Sequence, residues 1–122
     1  MRYKKLCLNG QKLDAFPIVM GSVPFGTAMD EATARDVLDA YVQMGGNVLD
    51  TARVYGAPEQ MGAAERVIGR WMEQRGNRAK IILSTKGGHP PLSDMGRGRL
   101  DRASLTEDLN GSLDALRTDC IA

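Results

Sequence analysis

The chain has 122 residues, 43% of them hydrophobic and 25% charged, and a net charge of +1. That length is enough for one domain with a real core, and the composition is that of an ordinary globular protein. The near-neutral balance gives no bulk attraction to nucleic acid or an anionic membrane, and no apolar run is long enough for a transmembrane helix.

Met1-Arg2-Tyr3-Lys4-Lys5 is basic, but the alternating Leu6-Cys7-Leu8-Asn9-Gly10 that follows is not a signal-peptide core. Residues 4–8 and 12–16 flank Asn9-Gly10, a pair that tolerates positive φ and predicts a β-hairpin. Phe16-Pro17-Ile18-Val19-Met20 predicts a short apolar strand closed by Gly21. Asp30 is a good N-cap with Glu31 in the first turn, and Ala34, Val37, Leu38, Tyr41 and Val42 then recur at helical spacing. Gly45-Gly46 ends that helix.

Residues 47–50 predict the next strand. Pro58 suits a first helical turn, and Ala64, Val67, Ile68, Trp71 and Met72 form one apolar face. Gly76-Asn77 stops this helix, and residues 80–85 predict a strand. Residues 87–99, rich in Gly and Pro, read as a loop. Asp101 caps a last helix with Leu105, Leu109, Leu113 and Leu116 on one stripe, although Gly111 within it costs roughly 1 kcal/mol relative to Ala. A further strand begins near Cys120. Strands alternating with amphipathic helices predict a parallel sheet with right-handed crossovers. No linker or charge block divides residues 1–122.

In parallel α/β folds ligands bind at the edge shared by the strand C-termini. Asp50 ends one strand, Lys86 ends the next, and Tyr55 lies in the loop after Asp50. An ordinary tyrosine or lysine titrates near pH 10. A nearby ammonium favours phenolate, and a carboxylate keeps that ammonium charged and aimed. The phenol can then give a proton to a carbonyl oxygen, which suits reduction of an aldehyde or ketone. A second reading has Asp50 capping a turn, Tyr55 packing over the sheet end and Lys86 as a solvated terminus. Spacing alone leaves both open.

At these residues the chain resembles an aldo-keto reductase. Asn47-Val48-Leu49-Asp50-Thr51-Ala52-Arg53-Val54-Tyr55-Gly56 is similar to that family's Asp-Thr-Ala-x-x-Tyr-Gly signature. Glu65-Arg66-Val67-Ile68-Gly69 resembles the helix after it, and Ser84-Thr85-Lys86 the strand end bearing the family lysine. Asp108-Leu109, Ser112-Leu113 and Leu116 resemble the next helix, and Arg117-Thr118-Asp119 the entry to a fourth barrel strand. The resemblance implies a hairpin followed by the N-terminal portion of an α/β (β/α)8 TIM barrel, and NADPH-dependent reduction of a small carbonyl substrate. Tyr55 would be the general acid, Lys86 its activator and Asp50 the partner of the lysine. Gly21, Ser22 and Val23, with Asp50, would lie near the nicotinamide.

The family's further catalytic histidine belongs at the end of a fourth strand. The only histidine here, His89, lies in the loop after Lys86, where a solvated role is expected. A barrel typically needs about 250 residues, and its phosphate site usually follows the last two strands. The expectation is therefore an N-terminal fragment that is unstable, oligomeric or inactive alone. The alternative is a non-catalytic half-barrel that self-associates through open sheet edges or pairs with a complementary half.

Three other motifs carry less. Gly21-Ser22-Val23-Pro24-Phe25-Gly26-Thr27 lacks the Gly-Lys-Ser/Thr ending of a phosphate loop and predicts a turn. Gly96-Arg97-Gly98-Arg99 is a short basic repeat best read as a solvated loop. Cys7, His89 and Cys120 lack metal-ligand spacing, and the two cysteines fit a reducing cytoplasm better than a disulfide scaffold.

Overall fold

The computed structural model describes residues 2–8 and 10–121. Strands β1 (Lys4–Leu8) and β2 (Gln11–Ala15) pair antiparallel, with Leu8 opposite Gln11 and Lys4 opposite Ala15. The expected hairpin is therefore present. Gly10 takes φ +79°, and Asn9 lies outside the described residues.

Three βα units follow. Strand β3 (Met20–Gly21) leads to helix α1 (Glu31–Gln43), β4 (Val48–Asp50) to α2 (Ala63–Arg75), and β5 (Ile82–Ser84) to α3 (Arg102–Leu116). The strands form one parallel sheet in the order β3-β4-β5. Side chains alternate across it. Leu49, Ile81 and Leu83 face the helices and join Leu38, Tyr41, Ile68 and Trp71 in the main core. Val48 and Ile82 face the other way, where Leu8, Leu13 and Ala15 of the hairpin cover them. Each such buried large side chain contributes roughly 1.5–3 kcal/mol. The hairpin thus closes one end of the inner sheet face and leaves the C-terminal strand ends for the site.

Two capping aspartates start helices as expected. Asp30 accepts from the Thr33 amide at 2.8 Å, and Asp101 from the Ser104 amide at 2.9 Å. Helices α1 and α2 are clamped by side chains. Arg70 holds Glu31 through bonds of 2.9 and 2.5 Å, and Asp39 accepts from the Trp71 indole at 2.8 Å and from Arg75. Arg35 also reaches Glu31. Arg70 first, then Arg35, lower the Glu31 pKa from 4.5 to about 2 against the opposing effect of burial. Between α2 and α3 the backbones nearly touch: a Cβ on Gly69 would lie 2.3 Å from the Ala115 carbonyl oxygen.

Three boundaries and one helix face differ from the sequence reading. Residues 16–19 are not strand, and β3 is confined to Met20–Gly21. Side chains take up that backbone instead: the Phe16 amide donates to Asn47 Oδ1 at 2.8 Å, and the Ile18 carbonyl accepts from Tyr41 at 2.8 Å. Pro58 does not open a helix, because Gly62 at φ +77° interrupts the chain and α2 starts at Ala63. The predicted strand over 80–85 is shorter, since Arg78–Lys80 form a 3-10 turn. The leucine stripe of α3 is only partly its buried face. Asp108, Ser112 and Leu116 are buried, whereas Leu105 and Leu109 are exposed. The segment Ser22–Met29 is a set of turns, as expected, closed by the Phe25 amide on the Ser22 carbonyl at 3.0 Å. No described helix is long and apolar enough to cross a membrane.

Candidate active site

Asp50 is the last residue of β4. It lies opposite Gly21 on one side and Ser84 on the other. The ladder continues past the strands: the Thr51 amide donates to the Ser84 carbonyl and the Arg53 amide to the Lys86 carbonyl, both at 2.9 Å. This extension carries the two-residue alternation onward, so Lys86 shares the face of Asp50 and Ser84, while Thr85 turns to the helices.

The Lys86 ammonium lies 2.9 and 2.8 Å from the two Asp50 carboxylate oxygens. It also donates to the Thr51 carbonyl at 2.7 Å and to the Tyr55 hydroxyl at 3.5 Å. An ammonium has three protons, and these four oxygens share them. Tyr55 receives a proton on its oxygen lone pair and keeps its own hydroxyl hydrogen for another acceptor. Partial burial works against charge on Lys86, but the hydrogen bonds and charge of Asp50, with Tyr55, outweigh it and raise its pKa above that of an ordinary lysine. Tyr55 is half-buried against the main core, which fixes its ring. Asp50, Tyr55 and Lys86 are therefore brought together.

Gly21 and Ser22 adjoin this trio. The buried Ser22 hydroxyl donates to the Asp50 carbonyl at 2.9 Å, so it holds the strand end rather than facing outward. A Cβ on Gly21 would meet no atom within 4 Å, so the edge beside Asp50 is open. Val23 follows, exposed. His89 does not join the trio in hydrogen bonding: its Nδ1 donates to the Pro90 carbonyl at 2.7 Å. With Arg53, Val54, Pro90, Leu92 and Arg97 it lines a cavity of about 320 Å³ beside the site, whose walls include none of the trio.

Several residues to which the sequence assigns no site role support the site. Asp108 accepts both guanidinium nitrogens of Arg99, at 3.1 and 3.0 Å, and the Gly88 amide at 2.7 Å. Burial raises its pKa, yet Arg99 and Gly88 more than compensate and the net shift is downward. The loop 87–99 is thereby tied to α3, and Arg99 of the Gly-Arg repeat is an internal partner rather than a free cation. Gly111 is explained by Arg53, because a Cβ there would sit 2.6 Å from Arg53 Nε. Glu65 of α2 is fully buried and accepts from the Thr85 hydroxyl at 2.7 Å. The available signal was a charged residue placed among Ala64, Val67 and Ile68 on an apolar face.

Known proteins share the sequence pattern and the fold of this chain. The model of the Aldo/keto reductase family matches residues 17–122. An uncharacterized oxidoreductase, YrpG, of Bacillus subtilis is 35% identical over 99% of this chain and 38% of its own length. An aryl-alcohol dehydrogenase (NADP(+)) of Phanerodontia chrysosporium is 39% identical over 70% of this chain and 23% of its own length. The holo form of the aldo-keto reductase AKR11C1 from Bacillus halodurans superposes with a TM-score of 0.75 at 30% identity, covering 99% of this chain and 38% of that one. The chain thus spans about a third of the length of the curated relatives it matches, and its fold is part of a (β/α)8 barrel.

Proposed function

We propose, from the fact that this chain belongs to the aldo/keto reductase family, that its Asp50, Tyr55 and Lys86 serve NADPH-dependent reduction of an aldehyde or ketone. The observation that carries the reading is the Lys86 ammonium joined to both the Asp50 carboxylate and the Tyr55 hydroxyl. NADP(+) is the cofactor named for the Phanerodontia chrysosporium relative. Gly21, Val23 and Asp50 would hold its nicotinamide end, with the buried Ser22 hydroxyl fixing the Asp50 carbonyl behind them, and the open edge at Gly21 leaves room for a planar ring. When bound, the cofactor supplies a hydride to the carbonyl carbon.

The remaining work falls to this chain. Tyr55 hydrogen-bonds the carbonyl oxygen and fixes its position. It donates its hydroxyl proton as negative charge gathers on that oxygen, and solvent later restores the proton. Lys86 stabilises the phenolate left behind, since an ammonium within hydrogen-bond reach favours the charged form. Asp50 keeps Lys86 charged and aimed. Two exposed free thiols, Cys7 and Cys120, suit a reducing compartment such as the cytoplasm.

The test follows NADPH consumption by the purified protein with an aromatic aldehyde. In a version completed to the length of its relatives, wild type should consume NADPH, and Tyr55→Phe should lose most of that turnover while NADPH affinity stays nearly intact. Equal turnover by Tyr55→Phe would sink the assignment.

A second reading rests on the sheet. Among the described residues β3 and β5 each pair on one edge only, so both outer edges can accept another strand. Self-association would cover them, and a mass in solution that rises with concentration would favour it.

A further inference from the structure

We propose that Glu65 is a positioning residue for Lys86, acting through the Thr85 hydroxyl. The inference deepens the reading of Lys86 above and rests on it. Glu65 has no exposure to solvent, which is rare for a carboxylate without a structural or functional reason. Its Oε1 accepts from Thr85 at 2.7 Å. Its Oε2 has no hydrogen-bond partner among the described residues and faces only the Arg53 guanidinium, at 3.7 Å. Burying such a group is costly unless charges or hydrogen bonds offset it. An apolar residue at position 65 would satisfy the core better, so the carboxylate needs another explanation.

The explanation lies in what Glu65 grips. Thr85 immediately precedes Lys86, and consecutive residues of an extended chain point to opposite faces. Fixing the Thr85 hydroxyl on the helix side therefore fixes Lys86 on the site side. Arg53 is held by the same carboxylate and lies between two glycines, since a Cβ on Gly62 would come within 2.3 Å of its Nη1 and one on Gly111 within 2.6 Å of its Nε. Its amide donates to the Lys86 carbonyl at 2.9 Å. The two residues that Glu65 holds are thus the chain neighbour and the backbone partner of Lys86. Arg53 also lies on the loop between Asp50 and Tyr55. One buried carboxylate registers the segment carrying the ammonium against the segment carrying the acid.

The experiment compares Thr85→Val, which keeps the shape and loses the hydroxyl, with Thr85→Ser, which keeps the hydroxyl. The probes are NADPH and benzaldehyde. Thr85→Val should lower kcat about tenfold, the scale of a small misplacement of a working group, with KM and NADPH affinity within about twofold. Thr85→Ser should restore turnover, and Glu65→Leu should behave as Thr85→Val does. A second readout does not need activity: the titration of the Lys86 side chain, followed by NMR of labelled lysine, should move toward that of an ordinary lysine in Thr85→Val but not in Thr85→Ser. Unchanged kcat and unchanged Lys86 titration in Thr85→Val would overturn the proposal, as would equal losses in the Ser and Val variants. If the wild-type protein neither binds NADPH nor reduces benzaldehyde, the carbonyl-reductase reading fails, and the Lys86 titration still decides whether Thr85 and Glu65 position the lysine.

Discussion

Lys86 Nζ lies 5.2 Å from the centroid of the Tyr55 ring and 3.5 Å from its hydroxyl oxygen. The ammonium therefore sits out beyond the hydroxyl oxygen rather than over the ring, and that oxygen is its contact with the phenol. Asp50 adds two shorter hydrogen bonds on another side. The lysine is fixed between the Asp50 carboxylate and the Tyr55 hydroxyl.

Asp50→Asn should lower the Lys86 pKa, because Asp50 supplies the main effect opposing partial burial. The sign of the linked stability follows. A folded-state pKa above the ordinary 10.5 gives stability that is complete below that value and is lost as pH rises through the folded pKa. Alkaline melts should show this loss in wild type and much less of it in Asp50→Asn.

Glu31 carries the opposite sign. Its pKa of about 2 lies below the ordinary 4.5, so its contribution is present above 4.5 and fades as pH falls toward 2. Glu31→Gln should melt earlier than wild type at neutral pH, with the difference shrinking in that acid window. Thermal melts across that range measure it, and a constant difference would count against the Arg70 pairing as its source.

Gly69→Ala should destabilise by about 2–3 kcal/mol, although alanine is the better helix former by roughly 1 kcal/mol. The added Cβ would meet the Ala115 carbonyl oxygen at 2.3 Å and Leu116 backbone atoms at 2.8 and 2.9 Å. Backbone on a facing helix cannot rotate away as a side chain can. Denaturant unfolding gives the value, and a stabilised variant would show that α2 and α3 are further apart.

Asp108→Ala should release the loop 87–99. It removes a bidentate partner of Arg99 and the acceptor of the Gly88 amide, hydrogen bonds to a charged group worth about 1.5–3 kcal/mol. Limited proteolysis should cut near residues 92–98 faster than in wild type, while α1 and α2 stay protected. Because the Asp108 pKa is depressed below 3.8, wild type should also loosen here as pH falls through that region.

Much of the fold was legible in local pattern. Asn9-Gly10 marked the hairpin between β1 and β2, Asp30 and Asp101 marked two helix starts, and apolar spacing marked the core faces of α1 and α2. These signals act over one turn or one strand, so sequence neighbours suffice to specify them. Boundaries failed where distant groups took over. Tyr41 and Asn47 claim the backbone near Phe16 that strand pairing would have used. On α3 the leucine spacing found only part of the buried face: Leu116 lies against Gly69 of α2, whereas Asp108 is buried by Arg99 and the Gly88 amide of the loop 87–99.

The sequence marked Asp50, Tyr55 and Lys86 as the candidates for the chemistry. It put Asp50 and Lys86 at strand ends and Tyr55 in the loop between them, because strand and loop follow from residues near one another in the chain. Only the tertiary structure decided that these groups touch, and that Glu65, Thr85 and Arg53 stand behind them. Those contacts join residues far apart in sequence, across the pairing of β4 with β5 and the packing of α2 on the sheet. No periodicity records such distances. They arise when the apolar faces close on one another and every polar group carried inside must find a partner there.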